Sequence, residues 1–208
     1  MQYLCNNFCM FARKHGVRIM LADSVLFLFV HMTTEELKNH IRVIEDFPIK
    51  GIHFQDVTTL LMDKDCVREL TGRLLDIYAD KGITKVVGLE SRGFIFGGIL
   101  AEKLGAGFVP ARKKGKLPYD RISETYGLEY GFDCIEMHTD AITEDDIVLI
   151  HDDLLATGGT LAASYRLVKK FNPSKIYANT LLDLTDCPRS KDFPTDLDFT
   201  SIIKINEA

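Results

Sequence analysis

An apolar run that leads directly into two neighbouring acids is the most informative feature of the sequence. Residues 148–160 read VLIHDDLLATGGT, so Asp152 and Asp153 follow the apolar run. In open α/β sheets, ligands bind beyond the carboxyl ends of the strands, which is where these two acids fall. Neighbouring carboxylates can accept hydrogen bonds from the vicinal hydroxyls of a sugar, or hold a Mg²⁺ ion that keeps its waters. The pair therefore predicts a site for a sugar or for a metal-bound substrate.

The turn that follows the acids has the composition of a phosphate-binding loop. It comprises Ala156, Thr157, Gly158, Gly159 and Thr160. The glycines let the backbone approach an anion, successive N–H groups can point inward, and the threonines add hydroxyl donors. The helix expected next would add the positive end of its dipole. The Gly-Lys-Ser/Thr ending of a Walker A loop is absent. A plain strand-to-helix turn is the simpler alternative, but the order of strand, acid pair and turn favours a phosphate site.

Strands and helices alternate through the rest of the chain. Apolar runs predict strands at residues 83–89, 108–110, 132–137, 147–150 and 175–184. Helical spacing predicts helices at residues 34–45, 66–81, 94–104 and 158–171. This alternation predicts an α/β domain with a central, mostly parallel sheet flanked by helices. The polar stretch over residues 112–131 has little apolar periodicity and is expected to be a long functional loop.

Composition and charge narrow the class of protein. The chain has 208 residues, of which 26% are charged and 46% hydrophobic, the balance of an ordinary globular protein. A net charge of −5 and a pI near 5.7 exclude a wholly basic nucleic-acid binder. Five dispersed cysteines favour reduced thiols, and hence a cytoplasmic protein. We expect no nucleic-acid partner.

The first 31 residues differ from the remainder. They carry a charge of +2, which leaves −7 for residues 32–208, and they contain the most apolar run of the chain. Asp23 and Ser24 divide the apolar stretch, and no small-residue cleavage site follows, which disfavours a secretory signal. Neither half approaches the roughly 20 apolar residues of a membrane span, so no membrane partner is expected. Residues 33–36 form a helix start of their own. We therefore expect residues 1–31 to be an N-terminal extension outside the fold, with the true start at Met32, and residues 32–208 to be one domain.

Five segments, in order along the chain, resemble the type I phosphoribosyltransferase family. Residues 148–160 resemble its phosphoribosyl-pyrophosphate signature, and their LLATGGT ending is similar to the branch that acts on adenine. FPIKGIHFQD from residue 47 resembles the base-binding segment, and ESRGFIFG from residue 90 resembles the pyrophosphate loop. RKKGKLP from residue 112 and YGLEYG from residue 126 are similar to the two ends of a mobile hood. The resemblance covers residues 32–208 and implies the type I phosphoribosyltransferase fold.

This resemblance implies an activity. The family branch transfers 5-phosphoribose from 5-phosphoribosyl 1-pyrophosphate to N9 of adenine, with Mg²⁺ as cofactor, and gives AMP and pyrophosphate. It also implies a homodimer. Two alternatives stay open: the same chemistry on hypoxanthine, guanine or xanthine, and a non-catalytic regulator that binds the phosphoribosyl donor.

The resemblance also assigns roles around the donor. Asp152 and Asp153 would hold the ribose hydroxyls, and residues 156–160 would hold the 5′-phosphate. Arg92 would be catalytic, and the Glu90–Ser91 peptide is expected to be cis. The expected pyrophosphate-binding residues are Glu90, Ser91, Arg92, Arg112, Lys113 and Lys116.

Other residues would serve the base. The expected adenine-binding residues are His53, Phe54, Gln55 and Leu154, although family members commonly carry Arg where this chain has Gln55. Glu129 would be the acid/base residue, with Tyr130 beside it on the hood. His151 stands where an apolar residue is usual, and we expect it to be a packing residue.

Overall fold

The chain forms two units, Met1–Glu69 and Leu70–Ala208. A computed structural model describes residues 17–22, 25–127 and 131–206 of them. Among these described residues, no helix combines the length and the apolar character that crossing a membrane requires.

The first unit is built from short elements. They are β1 (Val17–Ala22), β2 (Val25–Val30), α1 (Thr34–Asn39), β3 (Arg42–Ile44), β4 (Phe54–Asp56), α2 (Thr58–Met62) and the first residues of α3 (Lys64–Tyr78). β1 pairs with β2 and β3 pairs with β4, both antiparallel. The division of the chain between residues 31 and 32 stays a prediction.

Helix α1 begins as predicted but ends early. Thr33 and Glu36 form a capping box, in which the Glu36 carboxylate accepts from the Thr33 amide at 2.7 Å. The helix stops at Asn39, and residues 42–44 instead pair with residues 54–56. Val43 and Ile44 are β-branched and favour extended backbone. The predicted helix over residues 34–45 is therefore wrong beyond Asn39.

The second unit carries a seven-stranded sheet. After α3 and a 3₁₀ turn (Ala79–Lys81), it comprises β5 (Lys85–Leu89), α4 (Gly93–Leu104), β6 (Gly107–Lys113), β7 (Arg121–Gly127), β8 (Phe132–His138), β9 (Ile147–Leu155), α5 (Gly159–Lys169), β10 (Lys175–Leu184) and β11 (Asp198–Ile205). The strand order is β11-β10-β9-β5-β6-β8-β7. The first five strands in this order are mutually parallel, and β8 and β7 are antiparallel additions. The predicted α/β class with a mostly parallel sheet is confirmed.

The central strands form the core of this unit. Val87 of β5, Ile150 of β9 and Ala178 of β10 have no exposed surface. Such near-continuous apolar runs are typical of parallel strands covered on both faces. The register places Gly88 of β5 beside His151 of β9, and Leu89 of β5 beside Ala111 of β6. The segments that follow β5, β6 and β9 therefore meet at one edge of the sheet.

The region expected to be a long loop contains a strand. Within residues 112–131, β7 pairs antiparallel with β8, and its exposed and half-buried residues alternate. Glu124 of β7 binds Lys170 at 2.7 Å and Arg166 of α5 at 2.8 Å. Polar side chains on an edge strand remove the apolar alternation by which a strand is predicted, so the expectation of an irregular loop is wrong over residues 121–127.

Candidate functional site

The acid pair lies near the carboxyl end of β9, within the strand rather than beyond it. Asp152 Oδ1 accepts a hydrogen bond from the Asp153 amide at 2.9 Å. Burial raises the pKa of Asp152 well above its usual range, and the charge of Asp153 raises it further. Burial also raises the pKa of Asp153, while the Arg92 guanidinium opposes that rise. Because a cation would favour the charged form of both groups, this pair is electrostatically prepared to receive one.

Arg92 reaches the acid pair from the segment that joins β5 to α4. Its Nε lies 2.8 Å from Asp153 Oδ2. Gly93 starts α4, and a Cβ atom there would lie 2.8 Å from the His151 carbonyl oxygen and 3.0 Å from Asp152 Oδ1. Only glycine lets the start of α4 approach β9 this closely.

The Glu90–Ser91 peptide is cis, as predicted. The Glu90 carboxylate accepts two hydrogen bonds from the Arg112 guanidinium, both at 3.2 Å, and one from the Lys113 amide at 2.9 Å. Burial alone would raise the pKa of Glu90, but the Lys113 amide and the Arg112 guanidinium together lower it. Arg112 also donates to the carbonyl oxygen of Lys116 at 3.1 Å. Arg112 and Lys113, both expected to bind pyrophosphate, are therefore bonded to Glu90, and Arg112 also contacts Lys116.

These segments surround a cavity of about 560 Å³. It is lined by Glu90, Ser91, Arg92, Lys113, Tyr126, Asp133, Ile135, Asp152, Asp153, Leu154 and Thr160. Eight of these are residues predicted from the sequence, whereas Tyr126, Asp133 and Ile135 were not predicted. The Tyr126 hydroxyl donates to Asp133 at 3.1 Å, and Lys113 Nζ lies 3.3 Å from the same carboxylate. Four lining residues are acidic and two are basic, so the cavity is acidic overall.

The glycine-rich loop surrounds a second, smaller cavity of about 130 Å³. It is lined by residues 154–161 together with Asp152 and Thr180, and it shares Asp152, Leu154 and Thr160 with the larger cavity. Gly158 has φ +81°, and α5 starts at the next residue. A Cβ atom on Gly158 would lie 2.5 Å from the Phe193 ring. The predicted loop therefore lies at a helix N-terminus and adjoins the acid pair, as a phosphate-binding loop requires.

A segment distant in sequence, at Arg189 and Ser190, holds the glycine-rich loop through hydrogen bonds to its carbonyl oxygens. The sequence did not indicate this segment. Arg189 donates hydrogen bonds to the carbonyl oxygen of Ala156 and to the Asp183 carboxylate. The Ser190 amide donates to the carbonyl oxygen of Thr157 at 2.7 Å. Ala156 and Thr157 each lie 33 residues before the residue that donates to them, and no local pattern could have indicated these two contacts.

His151 is buried beneath the acid pair, as expected of a packing residue. It has no exposed surface, and its Nδ1 is hydrogen-bonded to Oδ1 of Asn179 on β10. Burial lowers the pKa of the imidazole to about 4, although the contact with Asn179 opposes that shift. His151 is therefore neutral at pH 7.

The predicted base-binding residues of the first unit lie on or beside β4. His53 is exposed and its Nδ1 lies 2.5 Å from a Glu45 oxygen. Phe54 is half-buried and meets the Phe47 ring edge-on, at 5.2 Å between ring centroids. Gln55 is buried. Glu129 and Tyr130 lie outside the described residues, so the expected acid/base residue has no described position.

Fold and site together define a class of protein: an α/β protein whose parallel strands end at a charged cavity beside a glycine-rich loop. The phosphoribosyl transferase domain family matches residues 58–207. The adenine phosphoribosyltransferase of Phocaeicola vulgatus is 53% identical over 174 residues, which cover 84% of this chain and 100% of that protein. The chain belongs to the adenine phosphoribosyltransferases of this family.

Solved structures agree with this assignment. The adenine phosphoribosyltransferase of Rhodothermus marinus has a TM-score of 0.78 at 48% identity, over 83% of this chain and 98% of that chain. The Giardia lamblia enzyme, solved with 9-deazaadenine, has a TM-score of 0.79 at 39% identity, over 85% of this chain and 99% of that chain. The predicted type I phosphoribosyltransferase fold and the predicted enzyme class are confirmed.

Proposed function

We propose that the chain transfers the 5-phosphoribosyl group of 5-phosphoribosyl 1-pyrophosphate to N9 of adenine, which forms AMP and pyrophosphate. The observation that carries this proposal is that the two cavities are neighbours, with Asp152, Leu154 and Thr160 lining both. A ligand with a phosphate at one end and a diphosphate at the other could occupy both at once. The relatives named above, which act on adenine by name, support the choice of base.

The proposed donor site follows the sheet edge. Residues 156–160 hold the 5′-phosphate through backbone N–H groups and the Thr157 and Thr160 hydroxyls. Asp152 and Asp153 accept hydrogen bonds from the ribose hydroxyls. As the C1′–O bond to pyrophosphate breaks, positive charge develops on the ribose, and nearby fixed carboxylates stabilise that charge.

The proposed leaving-group site lies around the Glu90–Ser91 peptide. Arg92 and Lys113 line the larger cavity and carry the charges that would meet the diphosphate. Arg112 and Lys116 complete the expected set, and Arg112 would exchange its bonds with Glu90 for bonds to phosphate oxygens. Arginine suits this role because its planar fork matches phosphate oxygens.

Mg²⁺ fits this site on electrostatic grounds. Four acids line a cavity that must accept a polyanion, and only two bases oppose them. The carboxylate oxygens of Asp152 and Asp153 are ligands of the type that Mg²⁺ prefers, directly or through its waters. Magnesium bound to the donor would neutralise diphosphate charge and so make it a better leaving group.

The resemblance assigns two sets of residues to the base. Leu154 supplies an apolar surface, and backbone groups near His53, Phe54 and Gln55 select adenine, with the side chain of Gln55 replacing the family's usual arginine. Glu129 takes the proton from N9 as the N9–C1′ bond forms, and Tyr130 packs beside it. Closure of the hood excludes water from the ribosyl cation. We expect the enzyme to act as a cytoplasmic homodimer.

Turnover with adenine, hypoxanthine, guanine and xanthine, each with the donor and Mg²⁺, tests this function. We expect AMP from adenine and little product from the other three bases. Preferred turnover of another purine would establish the alternative acceptor. Donor binding without product from any base would establish the non-catalytic regulator.

A further inference from the structure

A second cluster of chemically competent side chains lies in the first unit, and it contains none of the residues assigned above. His40, Asp63 and Cys66 each offer one ligand atom, and these three atoms lie within 4.8 Å of one another. His40 ends α1, Asp63 precedes α3, and Cys66 lies in the first turn of α3. Imidazole nitrogen, carboxylate oxygen and cysteine sulfur are the three ligand types that zinc takes from proteins.

The imidazole of His40 is already oriented toward this cluster. Its Nδ1 is hydrogen-bonded to the carbonyl oxygen of Glu36 at 2.8 Å. A carbonyl oxygen can only accept, so Nδ1 carries a proton, and in the neutral imidazole the lone pair that binds a metal is then on Nε2. Nε2 lies 3.6 Å from Asp63 Oδ2. A backbone carbonyl that fixes the tautomer of a histidine in this way is the usual partner of a metal-bound imidazole.

The two carboxylate oxygens of Asp63 make different contacts. Oδ1 accepts from the amides of Asp65 at 2.7 Å and Cys66 at 3.2 Å, which caps the start of α3. These amides hold the pKa of Asp63 below its usual range. The carboxylate is therefore ionised, and its Oδ2 faces His40.

The sulfur atoms of Cys66 and Met32 are neighbours within this cluster. Cys66 is fully buried, and its Sγ lies 4.0 Å from Sδ of Met32. His40 and Asp63 each keep 39% of the side-chain surface exposed, so solvent reaches the cluster from their side. An ion could thus enter from solvent and find sulfur at the inner end.

We propose that His40 Nε2, Asp63 Oδ2 and Cys66 Sγ form a binding site for one Zn²⁺ ion, with water or Met32 Sδ as the fourth ligand. Tetrahedral zinc places such ligand atoms about 3.5 Å apart, so atoms that now lie within 4.8 Å of one another must approach by at most about 1.3 Å. Burial raises the pKa of the Cys66 thiol to about 11. The thiol proton therefore leaves to solvent when the sulfur binds the ion.

The ligand types of this site favour Zn²⁺, and the position of the ligands indicates that the ion stabilises the fold. Thiolate is a soft ligand that favours Zn²⁺ over Mg²⁺, so the proposed Mg²⁺ chemistry does not compete with it. The ligands join the end of α1 to the start of α3. Binding is expected to stabilise the folded chain, because the unfolded chain does not hold these ligands together.

Calorimetry and Co²⁺ spectroscopy on the full-length, reduced, chelator-treated protein test the proposal. We expect one equivalent of Zn²⁺ to bind, Co²⁺ to give a thiolate-to-metal charge-transfer band, and Zn²⁺ to raise the unfolding temperature. Mg²⁺ should give no charge-transfer band, and any effect of Mg²⁺ on the unfolding temperature should be the same in Cys66→Ala as in the wild type. Cys66→Ala should abolish the band, and Cys66→Ala and His40→Ala should each weaken Zn²⁺ binding about tenfold or more.

Matched variants separate this site from other thiols. Cys134→Ala and Cys187→Ala each remove a cysteine outside the cluster and should keep the band and the affinity. His40 is exposed, so His40→Ala tests the site even where Cys66→Ala perturbs the fold. A charge-transfer band that survives in Cys66→Ala, or a wild-type protein that binds no stoichiometric Zn²⁺, would overturn the proposal and leave His40–Asp63 as an ion pair only.

Discussion

The Nε atom of Arg92 lies 2.8 Å from Oδ2 of Asp153. Arg92 is proposed to bind the leaving pyrophosphate and Asp153 the ribose, so the residues proposed for the two sides of the breaking bond form an ion pair with each other. The contact keeps a buried carboxylate accompanied by a cation. In the proposed reaction it would also hold the guanidinium near the leaving pyrophosphate, where negative charge develops.

Arg92→Ala should lower kcat/KM by about 10²–10³-fold, because it removes a preorganised cation from the leaving-group site. The fold should survive, because Asp153 can take a proton when its partner is lost. Steady-state kinetics and circular dichroism measure the two effects. Arg68→Ala, which removes an exposed arginine of α3, is the matched control and should leave turnover unchanged. Undiminished AMP synthesis in Arg92→Ala would rule out this assignment.

Arg189→Met should weaken donor binding about tenfold, because Ala156 loses the hydrogen bond that fixes the phosphate loop. A hydrogen bond from a charged donor contributes roughly 1.5–3 kcal/mol. Calorimetric titration with the donor alone gives the Kd, and kcat at saturating donor should change less. Arg189→Lys keeps the charge and should recover part of the affinity. Equal losses in donor affinity and in saturated kcat would contradict a positioning role.

Gly158→Ala should lower the free energy of unfolding by about 1–3 kcal/mol. Its φ of +81° disfavours a side chain, and the added Cβ would meet the Phe193 ring at 2.5 Å. Gly159→Ala is the control, since its Cβ would make an ordinary 3.6 Å contact with Tyr126. Urea denaturation of both variants gives the comparison. Equal destabilisation by the two substitutions would mean that the close approach of Phe193 does not restrict this loop.

Stability should fall as pH is lowered from about 6.5 to about 4, partly through His151. Its pKa in the folded chain is about 4, below the ordinary value of 6.5, so the unfolded chain binds the proton first. This contribution to the free energy of unfolding is fully present above pH 6.5. About 3 kcal/mol is lost once the pH has fallen to about 4. His151→Gln keeps a donor for Asn179 and should show a shallower decline, whereas exposed His53→Gln should follow the wild type. Parallel curves for His151→Gln and wild type would show that this histidine does not cause the decline.

The sequence predicts the sheet well where apolar runs are buried, and poorly where polar residues form strands. β10 matches its predicted range, residues 175–184, because its side chains contact the core along most of its length. β7 lies at the sheet edge with charged partners on α5, so its composition resembles that of a loop. β11 was missed because its half-buried residues mix apolar and polar types without regular alternation.

The site residues likewise fall into those that a local sequence pattern indicates and those that only tertiary contacts bring to the site. Asp152, Asp153 and the glycine-rich loop are contiguous in sequence, so their proximity follows from one strand-to-turn pattern. Asp133 reaches the cavity only through the antiparallel pairing of β8, and Arg189 reaches Ala156 across more than 30 residues. Contacts of that kind depend on tertiary structure and leave no local signal.

Product analysis with adenine, 5-phosphoribosyl 1-pyrophosphate and Mg²⁺ tests the central claim most directly. Asp152→Asn/Asp153→Asn serves as the paired variant, in which both carboxylates of the donor site become amides of similar size. The wild-type protein should form AMP and pyrophosphate in equal amounts, and the double variant should form neither at a comparable rate. Absence of AMP from the wild-type reaction, or an undiminished rate in the double variant, would contradict the account.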